Sequence, residues 1–351
     1  MDIPISDHGS TALCFAAYTG SLELVQCLVK AGADVSKPER IRPDADYNGS
    51  GTTALWHAIM GGHIAMVKFL VSCGADINKM SAAACSGGLA MLRFVTAVGV
   101  AGMWEHKHIL NFLVHWVFET RGTLQQDFGL TDFGLTALNT AIVCGDLELV
   151  NWLWNSDLRV SITPAFLAPL LDNATREGRF QIVQLLLEHG AEANARDFLG
   201  MAIHLGHFQV VQILLQHGAY VNAYDIHHGY RMALPTAITR GHTDIMRILL
   251  DFGVDMEKQG PPAMVAAIEV ASSKLLRLVI GTWASTGNVD MASAAVGRCG
   301  GIPLILAAKC ADVEVTHILL EHKVHRADDA SRALRAAIHH SNLEVARLLL
   351  A

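Results

Sequence analysis

The chain has 351 residues, enough for two globular domains on length alone. It is 52% hydrophobic and only 17% charged, with a net charge of −7 and a mean hydropathy of +0.33, against roughly 25% charged residues in an average protein. No basic block occurs, which argues against nucleic acid as the main ligand.

Met1-Asp2-Ile3-Pro4 carries no basic, apolar leader, so no signal peptide is readable. The longest apolar run, Leu89 to Trp104, is 16 residues with Arg93 and two glycines inside it. About 20 are needed to cross a bilayer, so it reads as a buried helix with its lead-in and not as a membrane span. The seven cysteines are odd in number and show no C-x-x-C spacing. They read as small core residues of a reduced compartment, the cytosol or the nucleus.

In chain order, Met1 to Asp7 leads in, and T-A-L-C-F-A-A then precedes Gly20. Ser36 to Ser50 holds two prolines and Asn-Gly, a loop composition. The clearest stretch follows, Gly51 to Asn78. Thr53 predicts a cap, and Leu55, Ala58 and Ile59 share one face of a helix ending near Met60. Gly61 and Gly62 stop it in the left-handed conformation. A second helix, about His63 to Ser72, turns Met66, Val67, Leu70 and Val71 inward, and Gly74 ends it. A helix pair this small cannot bury its own apolar faces and needs copies beside it.

The pattern recurs around Gly20, Gly145, Gly178, Gly206 and Gly241. Weaker copies centre on Glu105, Ala271, Ala311 and Ser341, where the glycine is lost but the apolar frame survives. Gly20 and Gly62 are 42 residues apart, so an insertion separates the first two units. Lys79 to Val95 reads as a second insertion and Glu119 to Phe133 as a third. The latter holds D-F-G-L-T-D-F-G, and no glycine-rich loop, V-A-I-K or H-R-D accompanies it as in a kinase. An extra helix, Thr163 to Thr175, carries Pro164 in a first turn, and Pro169 predicts a kink or restart. Gly281 to Gly301 reads as a flexible loop, lacking the G-K-[S/T] of a phosphate site. Leu348-Leu349-Leu350-Ala351 ends the chain without the polar cap normal to a repeat array, which predicts more chain or a packing partner there.

This pattern resembles the ankyrin repeat family, whose unit is close to 33 residues with a T-P-L-H-x-A signature. The resemblance implies an all-α solenoid of stacked helix-turn-helix units over residues 1–351. Its units are about ten, with bounds near 8–35, 51–78, 96–118, 134–160, 163–194, 197–222, 230–257, 263–280, 302–325 and 332–351. It also implies that a protein or peptide partner meets the concave side, at the loop tips and the two residues before each central position.

Carried over residue by residue, the candidate binding positions are Tyr18, Met60, Met103, Trp104, Val143, Cys144, Arg176, Glu177, His204 and Arg240, with Trp56 and His57 one turn back. The N-terminal half of this row is apolar and aromatic, and from Arg176 onward it is polar and charged. An apolar patch beside polar surface is the form a binding site takes, and Trp56 and Trp104 are its expected anchors. Trp152 is assigned to the core or the outer face.

A second reading belongs to a different class. Loops Ser36–Ser50, Lys79–Val95 and Glu119–Phe133 would roof the apolar groove into a pocket for an apolar small molecule. His57 with Asp44, Asp46 or Asp132, or else Asp172 with His204, would then serve as acid and base of a cyclase- or isomerase-like enzyme. No cofactor motif is present. His106-Lys107-His108, His204 with His207, and His322 with His325 have metal-like spacing, and no nearby cysteine or carboxylate completes a set.

Overall fold

The computed structural model describes residues 11–38, 52–77, 81–83, 93–95, 97–121, 130–155, 164–222, 232–285, 302–310, 312–322, 324 and 327–350. The chain divides into two compact units, Met1–Phe166 and Leu167–Ala351. The first holds α1 (Ala12–Tyr18) and α2 (Leu22–Lys30), α3 (Ala54–Met60) and α4 (Ile64–Ser72), α5 (Ala97–Met103) and α6 (Lys107–Arg121), and α7 (Leu130–Cys144) and α8 (Leu147–Asn155). The second holds most of α9 (Pro164–Arg176), with α10 (Phe180–Glu188), α11 (Phe198–Leu205), α12 (Phe208–Gln216), α13 (Ala233–Thr239) and α14 (Thr243–Asp251). It continues with α15 (Met256–Glu269), α16 (Ser273–Ser285), α17 (Ile302–Cys310), α18 (Val313–Glu321), α19 (Ala327–His339) and α20 (Leu343–Leu350). Within each unit, first helices pack on first helices and second on second, as in α1, α3, α5 and α7. Among the described residues the fold is all-α apart from one hairpin, β1 (Ser81–Ala83) paired antiparallel with β2 (Arg93–Val95).

Helices of seven to nine residues are too short to persist alone. Caps and stacking hold them. The Thr53 hydroxyl accepts from the Trp56 amide, and Thr11 accepts from Cys14. Leu55, Ala58 and Ile59 are buried as one face, and Met66, Val67, Leu70 and Val71 as another. Asp255 caps α15 by accepting from the amides of Glu257 and Lys258. Its carboxyl sits below the ordinary aspartate range, chiefly because the Lys258 side chain bonds it.

Wherever the connection lies among the described residues, the helices of a pair are joined by one left-handed residue. Gly62 has φ +72°, whereas Gly61 is ordinary right-handed backbone, so only the second glycine of that pair makes the reversal. The conformation persists where the glycine is gone. Glu105, Ala271 and Ser341 are the non-glycine residues with positive φ among those described, at 55°, 50° and 59°.

Onto this turn the following pair lays a side chain. A Cβ on Gly20 would come within 2.7 Å of the His63 ring, and one on Gly206 within 2.6 Å of the His242 ring. His106 donates from Nε2 to the Met60 carbonyl at 3.2 Å, and His207 to the Arg176 carbonyl at 3.0 Å. Asn342 donates to Ala308 O at 2.7 Å. The loop tips are tied in the same manner. Asn194 donates to Gly218 O and accepts from Tyr220 N, and Asn222 accepts from Asp255 N. Buried Gln259 accepts from Leu234 N at 2.9 Å.

Several expectations are corrected. Helix α9 runs through Pro169 without restarting: Leu167, Leu170 and Leu171 are buried while the Pro169 ring faces outward. Helix α15 begins well before Ala263 and includes Pro261 and Pro262, because burial of Met256 and Gln259 secures its first turns. Residues 119–121 are still α6, and α7 starts at Leu130, so the third connection is shorter than expected. Gly281 and its neighbours to Ser285 are helical, drawn in by fully buried Trp283. The second insertion contains the β1–β2 hairpin. Most of the Ser36–Ser50 loop, residues 286–301 and Ala351 lie outside the described residues.

This geometry sets the expected effect of three substitutions on stability. Ala271→Gly removes left-handed strain and is expected to raise unfolding free energy by about 1 kcal/mol in urea titration. Gly206→Ala adds a Cβ against His242 at φ +81° and is expected to lower it by more than the same amount. Thr175 occupies the position held elsewhere by Ile59, Ile203 and Ile238. It is fully buried, and its hydroxyl has no hydrogen-bond partner among the described residues. Thr175→Val is expected to stabilise by about 1 kcal/mol in the same assay.

Candidate functional site

The candidate residues stand where each first helix runs into its turn. In the first unit, Tyr18 ends α1 at 61% exposure, with exposed Phe15 one turn back. Tyr18 meets the His57 ring of α3 edge-on, centroids 6.0 Å apart. His57 is half-buried, and its Nε2 lies 3.1 Å from the Thr52 hydroxyl. Trp104, in the turn after α5, is 49% exposed. Met103 is the last residue of α5. Half-buried Val143 continues the row at the end of α7.

Two expected members are packed instead of presented. Trp56 is only 7% exposed, and its indole N–H donates to the Met60 sulfur at 2.7 Å. That bond satisfies the one polar atom of a large apolar ring, so the ring can be buried. Cys144 is 3% exposed, its thiol donating to the Gly102 carbonyl of α5 at 3.6 Å. Of the sequence-derived aromatic anchors, only Trp104 faces outward. Tyr18 and Phe15 add exposed aromatic surface to this row.

In the second unit the row is polar and internally bonded. Asp172 and Arg176 form an ion pair of 3.1 Å one helical turn apart, with Glu177 exposed beside them. His204 Nε2 accepts from the Arg240 guanidinium at 2.8 Å, which joins the ends of α11 and α13. An ion pair this exposed contributes well under 1 kcal/mol to stability.

Asp44 and Asp46 lie outside the described residues, and Asp132 stands within α7 and not in a roofing loop. Asp172 and His204 have the partners just given. Among the described residues no three His, Cys, Asp or Glu side chains gather as metal ligands, and no helix is long and apolar enough to cross a membrane. One feature that sequence reasoning missed lies on the second helices, where Trp152 of α8 stacks on His115 of α6.

Short antiparallel helix pairs, joined by left-handed turns and stacked like on like, define a helix-turn-helix repeat protein. The family model for ankyrin repeats matches residues 2–81, 166–225 and 199–291. These cover more than half of the sequence, and the chain belongs to the ankyrin repeat family. Among solved structures, the chain is similar to the crystal structure of the human ASB11 ankyrin repeat domain. The two are 20% identical with a TM-score of 0.50, over 70% of this chain and 99% of that one. That likeness shows the fold alone. No curated protein matches. Ankyrin repeats are in general protein–protein interaction modules.

The two tryptophans separate packing from presentation. Trp56→Ala is expected to cost about 3 kcal/mol or more in urea unfolding, as for a buried aromatic. Trp104→Ala is expected to stay within about 0.5 kcal/mol of wild type, as for an exposed position.

Proposed function

We propose that this protein is a binding module that takes a protein or peptide partner on the turn face of its first unit. Phe15, Tyr18 and Trp104 are the anchors, with His57 and Met60 between them. The observation that carries this reading is that Phe15 and Tyr18 on α1 and Trp104 after α5 are left exposed, with half-buried His57 and Met60 of α3 in the same row. Aromatic rings buried by a partner supply much of the energy of an interface. Exposed on a monomer, they cost hydrophobic free energy that a partner recovers at about 25 cal/mol per Å². The Arg176, Glu177, His204 and Arg240 row of the second unit is, taken by itself, a polar surface for partner contacts. The proposed setting is the cytosol or the nucleus.

A photo-cross-linking amino acid placed at Trp104, and separately at exposed Gln184 on α10, tests the reading in the native host. The expected result is one discrete polypeptide adduct from position 104 and none from 184. Binding of that polypeptide should weaken at least about tenfold in Tyr18→Ala/Trp104→Ala, as for paired hot spots. Equal labelling from both positions, or full affinity in the double variant, would sink the proposal.

A further inference from the structure

The outer face of the first unit carries an aromatic platform on its second helices. The His115 ring of α6 stacks on the Trp152 indole of α8, centroids 4.3 Å apart at 25°. Phe118 meets the same indole edge-on at 4.8 Å. Trp152 nonetheless keeps 36% of its surface open. The corresponding positions of the second unit carry Leu185, Ile213 and Ile248, so the platform belongs to the first unit alone.

The polar groups around it are of one kind. His115 Nδ1 lies 2.8 Å from the Asn111 carbonyl, which can only accept, so Nδ1 carries the hydrogen. In the neutral ring Nε2 is then an open acceptor. Glu119 follows His115 by one turn on α6, and Glu148 precedes Trp152 by one turn on α8. Each carboxylate therefore shares a helix face with one ring of the stack. Both are exposed, and neither has an ion pair among the described residues. The neighbouring described donors already hold bonds: Lys107 to Gly145 O, Asn111 to Asp146, Thr120 to Trp116 O and Asn155 to Asn151 O. Among the described residues, what remains open is chiefly aromatic surface and acceptors.

We propose that this platform binds an arginine-bearing segment of a partner protein. A guanidinium is planar and stacks on aromatic surface, and it carries donors in a fork that matches carboxylates. The row already contains one such contact, with Lys68 Nζ of α4 lying 5.5 Å from the Phe112 ring centroid of α6. The site is separate from the turn face and does not depend on it.

The test uses the full chain labelled with ¹⁵N and a short synthetic peptide of alternating arginine and glycine. The indole N–H resonance of Trp152 is identified by its loss in Trp152→Phe. The expected result is a saturable shift of that resonance, absent with the same peptide carrying citrulline, which keeps the shape and loses the charge. Glu119→Gln/Glu148→Gln changes only exposed groups, and it should weaken the titration about tenfold. No movement of the Trp152 resonance overturns the proposal. So does an equal shift with the citrulline peptide, unaltered affinity in the glutamine variant, or movement confined to other tryptophans.

Discussion

Everything in this structure hangs on the left-handed turn between paired helices and on the side chain that the next pair lays across it. The helices are too short to stand alone. The turn brings each pair face to face, and a ring or amide from the following pair then closes over the turn and its carbonyl. His63 covers Gly20, His106 covers Gly62, His207 covers Gly178 and His242 covers Gly206. These contacts set the spacing between neighbours, and the buried leucines and isoleucines fill the space so defined.

That arrangement divides the surface by function. Because the histidines and the apolar frame are consumed in stacking, most of the residues that end the first helices are released from structural duty, Cys144 excepted. In the first unit those residues are mostly apolar, with Tyr18 and neighbouring Trp104 aromatic, and in the second they are largely polar and in part bonded to one another, as in the Arg240–His204 contact. The two units share a backbone plan and present different chemistry from the same register. The second-helix face differs again, and among the described residues its aromatic stack lies in the first unit.

The repeat frame was legible in the sequence wherever leucine, alanine and the turn recur together. Left-handed residues at Glu105, Ala271 and Ser341 follow from register alone, without a glycine to mark them. The faces of α3 and α4 were equally plain, since helical spacing fixes which side chains share a side. What sequence could not show was the outcome of competition between local preference and packing. Prolines 169, 261 and 262 argue for breaks, but buried neighbours hold those segments helical. Trp56 and Cys144 occupy positions of the exposed row, yet each found a partner atom that let it go inside. The His115–Trp152 stack joins residues from two helices whose proximity no local spacing reveals.

The side chains that tie one pair to the next share a further property. His106, His207, Asn194 and Asn342 all reach for main-chain oxygens. Every amino acid supplies that acceptor, so the identity of the receiving residue is left unspecified. One half of each joint is therefore written in backbone and the other in a single side chain. A repeat can be duplicated, exchanged or allowed to drift without rewriting its neighbour. The architecture is in this sense a grammar that tolerates almost any vocabulary at the turns, where new binding preferences are composed.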